Sequence, residues 1–325
     1  TPKRPEDSMM DRKRFLQLFG VLSTGYTAVG TTPLLTRAAQ LDEDESVTIT
    51  ILYTNDTHSR IKPFPESAGE LGGLGGYARR AAVIKSIRKK SEHVLLLDAG
   101  DMFQGTPYFN FYNGQLELEL MSEMNYDAAA IGNHEFDNGV EGFAEVAPHA
   151  QFPFLAANYN VRETPMEPFV ESFMVKELGG VKVGIFGLGI DFDNLVLDKL
   201  HKGVTYRKAE LLAEAMVRTL REYKDCDYVI CLSHLGYRYD DDRISDWKLA
   251  QKVDGIDLII GGHTHTFLDE PVTARTPEGH ITRITQVGWG GVILGRIDVT
   301  FRPDRKPDQT VAQNISISET STHKT

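Results

Sequence analysis

Seven side chains able to bind a divalent metal ion follow five short apolar segments of the sequence. They are Asp56, His58, Asp101, Asn133, His234, His263 and His265. A set of imidazoles and carboxylates suits Zn, Mn or Fe better than Ca, which prefers oxygen ligands alone. Glycines flank several of the donors and let the backbone turn sharply beside them. These residue types indicate a metal site that can act on a small anionic substrate.

The spacing of the donors suggests how they share cations. Asp56 and His58 are two residues apart, as are His263 and His265, and on an extended chain such residues point to the same side. Each pair is therefore predicted to hold one cation, and the two carboxylate oxygens of Asp101 allow it to bridge two. Each segment alone also fits a surface turn or a hydrogen-bonded histidine. All five segments together, each at the end of a predicted strand, favour a metal site.

The elements that must position these donors alternate along the chain. Continuous apolar runs predict strands buried on both faces, over residues 47–53, 94–97, 128–131, 152–156, 181–187, 228–232 and 256–260. Amphipathic segments predict helices over residues 76–90, 115–124, 209–224 and 242–252. This alternation is typical of an α/β fold in which helices cover a sheet. Because ligands bind outside the carboxyl ends of such strands, the five ends are expected to meet in one crevice.

The carboxyl-terminal part of the sequence has a different character. Apolar runs at residues 281–287 and 292–301 are separated by Gly288-Trp289-Gly290-Gly291. This pattern predicts a hairpin that closes a sheet edge or forms part of a second sheet. Residues 304–325 are rich in polar residues and proline and are predicted to be a flexible tail. The folded domain is then expected to span residues 46–303.

Residues 1–45 are predicted to be an export signal followed by an acidic linker. A basic cluster, Arg12-Lys13-Arg14, precedes a mildly apolar run that ends near Ala38-Ala39, which is the order of regions in a signal peptide. The cluster resembles a twin-arginine signal in which Arg12-Lys13 replaces the arginine pair. A membrane anchor and an unstructured tail are the alternatives. The protein is therefore expected in the periplasm or cell envelope.

Composition excludes some classes of function. The net charge is -11 over 325 residues, so the clustered cations needed to track a long nucleic acid are not expected. The two cysteines, Cys226 and Cys231, are too far apart on an extended segment for a disulfide. They also lack the CxxC spacing of a zinc finger or a redox site. A Gly-rich run at residues 71–76 does not directly follow a strand, so it is a poor candidate for a dinucleotide-binding loop.

The donor segments, taken in order, resemble the calcineurin-like metallophosphoesterases and, among them, the 5'-nucleotidase family. The motifs are Asp56-Thr57-His58, Gly100-Asp101, Gly132-Asn133-His134-Glu135, His234 and Gly262-His263-Thr264-His265. The resemblance runs from about residue 47 to residue 301. It implies a four-layered α/β/β/α sandwich.

The resemblance also implies roles for the site residues. The first metal would be bound by Asp56, His58, Asp101 and His265, and the second by Asp101, Asn133, His234 and His263. His134 and Asp137 would form a catalytic dyad, although Asp137 is also an acid of the kind favoured in a first helical turn. The expected reaction is hydrolysis of a phosphate monoester, most simply a 5'-nucleotide, by a hydroxide bridging two divalent metals. His134 would protonate the leaving group.

Substrate and partners are less closely specified. Many relatives have a second domain that stacks on the nucleobase, and this sequence stops after the metallophosphatase part. Either a separate polypeptide supplies that domain or the substrate differs. Cyclic nucleotides, sugar nucleotides and non-nucleotide esters are alternatives within the hydrolases, and a non-catalytic metal-binding module is an alternative outside them.

Two features near the donors have two interpretations each. Asp98 either supports the metal site or ends a strand in a turn. The aromatic run Tyr108-Phe109-Asn110-Phe111-Tyr112 is predicted to pack in the core, with a wall for substrate stacking as the alternative.

Overall fold

The structure is a computed structural model that describes residues 46–321. The predicted export segment, residues 1–45, lies outside the described residues, as do residues 322–325. In the described part, no helix is both long enough and apolar enough to cross a bilayer.

The first of two large sheets has seven strands. They are β1 Val47–Thr54, β2 His93–Asp98, β3 Ala128–Ala130, β4 Phe154–Leu155, β6 Val170–Glu171, β14 Ile293–Phe301 and β15 Pro307–Ser316. The spatial order is β15-β14-β1-β2-β3-β4-β6. Pairing is parallel from β1 to β6 and antiparallel for β14 and β15. The parallel strand ends therefore point to the same edge, where the chain leaves β1, β2 and β3 into the loops that carry the first four donors.

The second large sheet has six strands. They are β7 Phe173–Leu178, β8 Val181–Leu188, β10 Tyr228–Ser233, β11 Leu258–Gly261, β12 Val272–Arg275 and β13 Ile281–Thr285. Their order is β12-β13-β11-β10-β8-β7, with parallel pairing among β8, β10, β11 and β13. A separate small pair consists of β5 Tyr159–Asn160 and β9 Thr205–Tyr206.

Within the part of the chain that the structure describes, six α-helices accompany the sheets. They are α1 Tyr77–Arg88, α2 Pro107–Tyr112, α3 Gln115–Glu123, α4 Gly139–Val146, α5 Ala209–Arg218 and α6 Asp246–Lys252. Short helical turns lie at Gly69–Leu71, His134–Phe136, Ala147–His149 and, with π geometry, Thr219–Tyr223. Local sequence explains two of the starts. Thr106 caps α2 with Pro107 in its first turn, and Ser245 caps α6 by accepting a bond from the Lys248 amide.

Three apolar cores make the layers. Alternate residues of each strand point to opposite faces, so Ile51 of β1 packs between the sheets while its neighbour Leu52 faces α1 and α3. On the second sheet, Ile230 packs between the sheets while Cys231 faces α5 and α6. The order of layers is helix, sheet, sheet, helix. The predicted four-layered α/β/β/α sandwich is confirmed, as is the prediction that the central strands are buried on both faces.

The predicted hairpin at residues 281–301 is wrong. Strand β13 belongs to the second sheet, whereas β14 belongs to the first. The Gly-rich segment between them carries the chain from one sheet to the other, with positive φ at Gly288, Gly290 and Gly291. Glycine and other turn residues indicate that the chain bends, but they do not indicate which sheet the next strand will join.

The predicted flexible tail is also wrong for most of its length. Residues Pro307–Ser316 form β15, which pairs with β14 from Ile293↔Ser316 to Phe301↔Pro307. Its polar composition suits an edge strand with a solvated face. Just beyond β15, Ile317 is fully buried in the core between the first sheet and its helices. The folded unit therefore continues well past residue 303, and both cysteines in it are free and buried.

Candidate metal centre

All seven predicted donors lie together at one end of the sandwich. Asp56 and His58 follow β1, Asp101 follows β2 and Asn133 follows β3. The other three follow β10 and β11 of the second sheet. The strand ends therefore meet between two sheets rather than along the edge of one. Main-chain bonds interlock the first two loops, because the amides of Asp56 and His58 donate to the carbonyls of Gly100 and Asp101.

The backbone of the donors is unusual. Five of the seven have a positive φ: Asp56 (47°), His58 (45°), Asp101 (56°), His263 (70°) and His265 (52°). The expected extended geometry of the two i, i+2 pairs is therefore wrong. Asp56 and His58 do fall in one donor group, but the prediction that His263 and His265 hold one cation together is also wrong, because they fall in different groups. Left-handed backbone costs a residue with a Cβ roughly 1–2 kcal/mol. Such strain persists where the surroundings impose it, which is common at functional sites.

A first group of donors consists of Asp56, His58 and His265. The Nε2 atoms of His58 and His265 are 2.9 Å apart. Oδ1 of Asp56 lies 3.4 Å from Nε2 of His265 and 4.0 Å from Nε2 of His58. The two imidazoles and the carboxylate thus point at one small volume.

A second group consists of Asp101, His234 and His263. Nε2 of His234 is 3.0 Å from Oδ2 of Asp101, and Nδ1 of His263 is 2.8 Å from Oδ1 of Asn133. Asp101 also forms a cluster with His58 and His134, so its carboxylate lies between the two groups.

The donors fit divalent cations. Nδ1 of His234 is 2.7 Å from the carbonyl of Ala99, so Nδ1 donates its proton to that carbonyl and Nε2 is the atom available to a metal. Within residues 46–321, that buried Nε2 has no partner with hydrogen-bond geometry, and it lies 3.0 Å from a carboxylate oxygen of Asp101. Nδ1 of His58 similarly lies 3.2 Å from the carbonyl of Phe103. Nitrogen and oxygen atoms this close together need a proton or a metal ion between them, and a set of imidazoles and carboxylates suits a divalent cation.

Electrostatics agree with that interpretation. Burial opposes a charge on His234, yet the carboxylates of Asp101 and Asp56 raise its pKa to about 10. Burial also opposes a charge on Asp101, yet His234 holds the pKa of that carboxyl well below its usual range. Burial, followed by the neighbouring His234, lowers the pKa of His263 to about 4. The pocket thus stabilises positive charge next to Asp101 and keeps the imidazole of His263 neutral.

His134 and Asp137 are in direct contact. Nδ1 of His134 lies 2.8 Å from Oδ2 of Asp137, across the short helical turn His134–Phe136. The ring of His134 lies 5.2 Å from that of His58. Burial opposes its protonation, but the bond to Asp137 and the charge of Asp101 outweigh burial and raise the pKa of His134 to about 9. The predicted pair is therefore assembled at the edge of the donor groups.

Glu135 is a site residue that the sequence analysis overlooked. It is buried and accepts main-chain bonds from Gly132 at 2.7 Å and from Asp101 and Met102 at 2.9 Å each. Its carboxylate therefore ties the loop after β2 to the loop after β3. The acid within Gly132-Asn133-His134-Glu135 was the available signal. A buried acid and an exposed acid look alike in a sequence.

Asp98 and the aromatic residues 108–112 differ in their surroundings. Asp98 is buried, accepts bonds from the Gly100 amide and the Thr54 hydroxyl, and so shapes the turn that leads to Asp101. In the aromatic run, Phe109 packs in the core, but Phe111 is 80% exposed and Tyr112 is 49% exposed. The core prediction is thus wrong for these two residues.

Comparison with known proteins agrees with this arrangement. The model of the calcineurin-like phosphoesterase family matches residues 49–267, a span that includes all seven donors and the His134–Asp137 pair. The chain belongs to the calcineurin-like phosphoesterase family. Members of this family use divalent metals, and the donor groups described above are the candidate sites for them.

Among relatives of this phosphoesterase are proteins named 5'-nucleotidases. The snake venom 5'-nucleotidase of Crotalus adamanteus is 35% identical over 279 residues, which is 79% of this chain and 46% of the relative. The 5'-nucleotidase of Rattus norvegicus is 36% identical over 250 residues, covering 71% of this chain and 40% of the relative. The chain therefore spans about half the length of these relatives or less.

A solved structure shows the same fold. The 5'-nucleotidase precursor from Thermus thermophilus superposes with a TM-score of 0.77 at 31% identity, covering 84% of this chain and 55% of that one. The similarity thus extends over nearly all of the described residues of this phosphoesterase.

Proposed function

We propose that this phosphoesterase is a dinuclear-metal hydrolase of phosphate monoesters, with 5'-nucleotides as its substrate class. The observation that carries the proposal is the convergence of seven donors in two groups that share Asp101, beside an imidazole that belongs to neither group. That remaining imidazole, His134, is bonded to Asp137. A metal site with a purely structural role has no need of such a pair.

We assign one cation to each group. Asp56, His58 and His265 would bind the first, and Asn133, His234 and His263 would bind the second, with Asp101 shared between them. The proximity of the donor atoms and the unpartnered Nε2 of His234 support this assignment. Mixed imidazole and carboxylate donors favour Zn, Mn or Fe.

The residues of the chain have separable tasks in the reaction. When bound, two divalent cations supply an activated water and neutralise charge on the phosphoryl oxygens. Asp137 orients the ring of His134 through Nδ1. His134 then stands beside the donor groups, where it can hydrogen-bond a phosphoryl oxygen and donate a proton to the departing alkoxide.

The substrate class rests on the relatives and not on the metal centre. Their names describe hydrolysis of nucleotides, but this chain matches only about half of each. We infer that contacts to the nucleobase come from polypeptide outside the matched region, either covalently linked or supplied by a partner. A small phosphorylated molecule, and not a long nucleic acid, is the expected substrate.

The test is phosphate release by the full chain from 5'-AMP and from p-nitrophenyl phosphate, with Mn²⁺ or Zn²⁺ or with a chelator. We expect hydrolysis that requires metal, and a preference for the monoester over bis-p-nitrophenyl phosphate. The variant His134→Ala should retain both metals and lose about 10²–10⁴-fold in kcat.

The matched control is His149→Ala. His149 is also a partly exposed imidazole paired with an acid, Glu119, but it lies outside the donor groups. Its replacement should leave turnover unchanged. Wild-type turnover in His134→Ala would refute the role of His134, and phosphate release that is insensitive to chelation would refute the metal mechanism.

We also propose that the protein is exported. The support is the basic and apolar order of residues 1–45 together with relatives named as a venom enzyme and as a precursor. Fractionation of the native host, with the amino terminus of the isolated protein determined by sequencing, tests this. Recovery of uncleaved protein in the cytoplasm would contradict it.

A further inference from the structure

One segment carries no metal donor but contacts both of the loops that supply Asp56 and His265 to the first donor group. Residues 286–290 link β13 of the second sheet to β14 of the first. Gln286, Val287, Gly288 and Gly290 are buried, and Trp289 is half-buried. We call these residues the 286–290 bridge.

The bridge is bonded to the loop that carries His263 and His265. Nε2 of Gln286 donates to the carbonyl of Gly262 at 2.6 Å. Its Oε1 accepts bonds from the Thr264 hydroxyl and the Thr266 amide. The amide of Gly288 donates to the carbonyl of Thr266 at 2.9 Å. The side chain of Gln286 and one main-chain hydrogen bond from Gly288 therefore hold the chain on both sides of His265.

The bridge is equally bonded to the loop that carries Asp56. The amide of Gly290 donates to the carbonyl of Asp56 at 2.7 Å. Asn55 accepts from the amide of Val287 at 2.9 Å and donates to the carbonyl of Gly288 at 2.6 Å. The same amide group of Asn55 lies 2.6 Å from Oδ2 of Asp56. Two loops from different sheets are therefore set relative to each other through this one segment.

Trp289 makes the contact closest to the metal donors. Its ring stacks on the imidazole of His265 with centroids 5.7 Å apart and planes 14° apart. Phe64 meets Trp289 edge-on at 5.2 Å and limits its movement. The indole therefore covers one face of the His265 ring.

As far as the structure describes the chain, the ring of His265 lacks the main-chain hydrogen-bond contact that the rings of His58 and His234 have. Nδ1 of His58 lies beside the carbonyl of Phe103, and Nδ1 of His234 beside that of Ala99. Within residues 46–321, the only hydrogen-bond contact of the His265 ring is with Nε2 of His58, on the side of the donors. Metal-binding histidines are usually oriented by a hydrogen bond from the ring nitrogen that does not bind the metal. For His265, the stacked indole of Trp289 would orient the ring instead.

We propose that Trp289 is a positioning residue that holds His265 in its metal-binding orientation, so that the 286–290 bridge selectively sets the affinity of the first metal. This inference rests on the proposed dinuclear centre. Among the described residues, the ring contacts of Trp289 are with Phe64 and His265 and not with a donor of the second group, so the affinity of that group should not depend on the indole.

The test is a double-mutant cycle on zinc binding by the full chain, with Zn²⁺ alone as the probe in competition with a chromophoric chelator. His263→Ala disables the second group and His265→Ala disables the first. Adding Trp289→Leu should weaken binding about 10-fold or more in the His263→Ala background. In the His265→Ala background it should change binding by less than about 3-fold, and Trp289→Phe should retain most of the affinity.

Trp247→Leu is the matched control. Trp247 is also half-buried, and it stacks on Arg238 at 3.5 Å and not on a donor. Trp247→Leu should leave the zinc affinity unchanged in both the His263→Ala and the His265→Ala background. Equal weakening by Trp289→Leu in both backgrounds, or no weakening in the His263→Ala background, overturns the inference. Failure of the unmutated chain to bind two equivalents of zinc is a different result, because it overturns the dinuclear centre itself.

A second measurement uses Trp289 itself as the probe, so its main result does not depend on how variants at position 289 fold. Trp247→Phe makes Trp289 the only tryptophan. Its emission should change with added Zn²⁺ in step with occupancy of the first group, because the stacked imidazole gains a cation. Trp289→Phe, which retains Trp247, should show no such change. An unresponsive Trp289, or the same response from Trp247, contradicts the stacking contact.

Discussion

At the scale of single residues, the donors are held by groups that bind no metal. The left-handed backbone at Asp56, His58 and Asp101 persists because neighbouring loops bond to it on both sides. Glycines allow the loops to approach: a Cβ on Gly132 would overlap Oδ1 of Asp101. A substitution at this position would therefore displace the shared carboxylate. Strain and close approach of this kind are typical of pre-organised sites.

Glu135 links the loop after β2 to the loop after β3. Its carboxylate accepts four main-chain bonds, from Gly132, Asp101, Met102 and Phe103. Glu135→Gln places an NH₂ group against amide donors and leaves buried groups unpaired. We expect a loss of about 2–4 kcal/mol in the free energy of unfolding and weaker zinc binding. Urea unfolding and zinc titration measure these effects.

The control for that substitution is Glu145→Gln, an exposed acid on α4. It should change stability by less than about 0.5 kcal/mol. If Glu135→Gln is as stable as Glu145→Gln, the carboxylate does not hold the two loops together.

At the scale of elements, helix α6 contains a buried acid that makes stability depend on pH. Asp246 is fully buried and accepts a bond from the Ser233 hydroxyl, and its Oδ2 has no hydrogen-bond partner among residues 46–321. Burial raises the pKa of Asp246 from 3.8 to about 8. The folded protein therefore retains a proton on this residue that the unfolded chain loses near pH 4, and stability falls as the pH rises from about 4 to about 8.

Asp246→Asn should remove this dependence, because the amide resembles the protonated acid in shape and charge. Above pH 8 the variant should be more stable than the wild type, by on the order of a few kcal/mol. Near pH 4 the two should be similar. Parallel urea titrations at pH 5 and pH 9 provide the measurement. Identical pH dependence in both proteins would mean that Asp246 does not titrate in this way.

Strand β15 is an element that the sequence patterns did not indicate. Residues Pro307–Ser316 are mostly exposed, so neither hydrophobic alternation nor burial indicates a strand. Pairing with β14 over almost its full length provides the main-chain bonds that its side chains do not suggest. Propensity in strands depends strongly on such pairing.

At the scale of the whole molecule, the donors lie where the strand ends of the two large sheets meet, and they come from both sheets. Bound cations would therefore stabilise the sandwich as well as perform chemistry. A ligand at 100 times its Kd adds about 2.7 kcal/mol to the free energy of unfolding. A chelator should accordingly lower Tm by roughly 5–10 °C, as measured by calorimetry.

Two comparisons check that expectation. Returning Zn²⁺ should restore Tm, and His265→Ala should show a smaller effect of chelation than the wild type. An unchanged Tm in the presence of the chelator would indicate that no cation bridges the sheets.

The side chains that could bind metal and the alternation of strands and helices were predictable from the amino-acid sequence alone. The four-layered sandwich was predictable through resemblance to a family. These features depend on residue type and on near neighbours along the chain. Four features became visible only in the folded chain: the sheet that β14 joins, the presence of β15, the left-handed backbone of five donors, and the role of Glu135 and residues 286–290 in holding the donor loops. Each of these depends on contacts between residues far apart in sequence, such as the pairing of Val47 with Phe301, and local composition carries no record of such contacts.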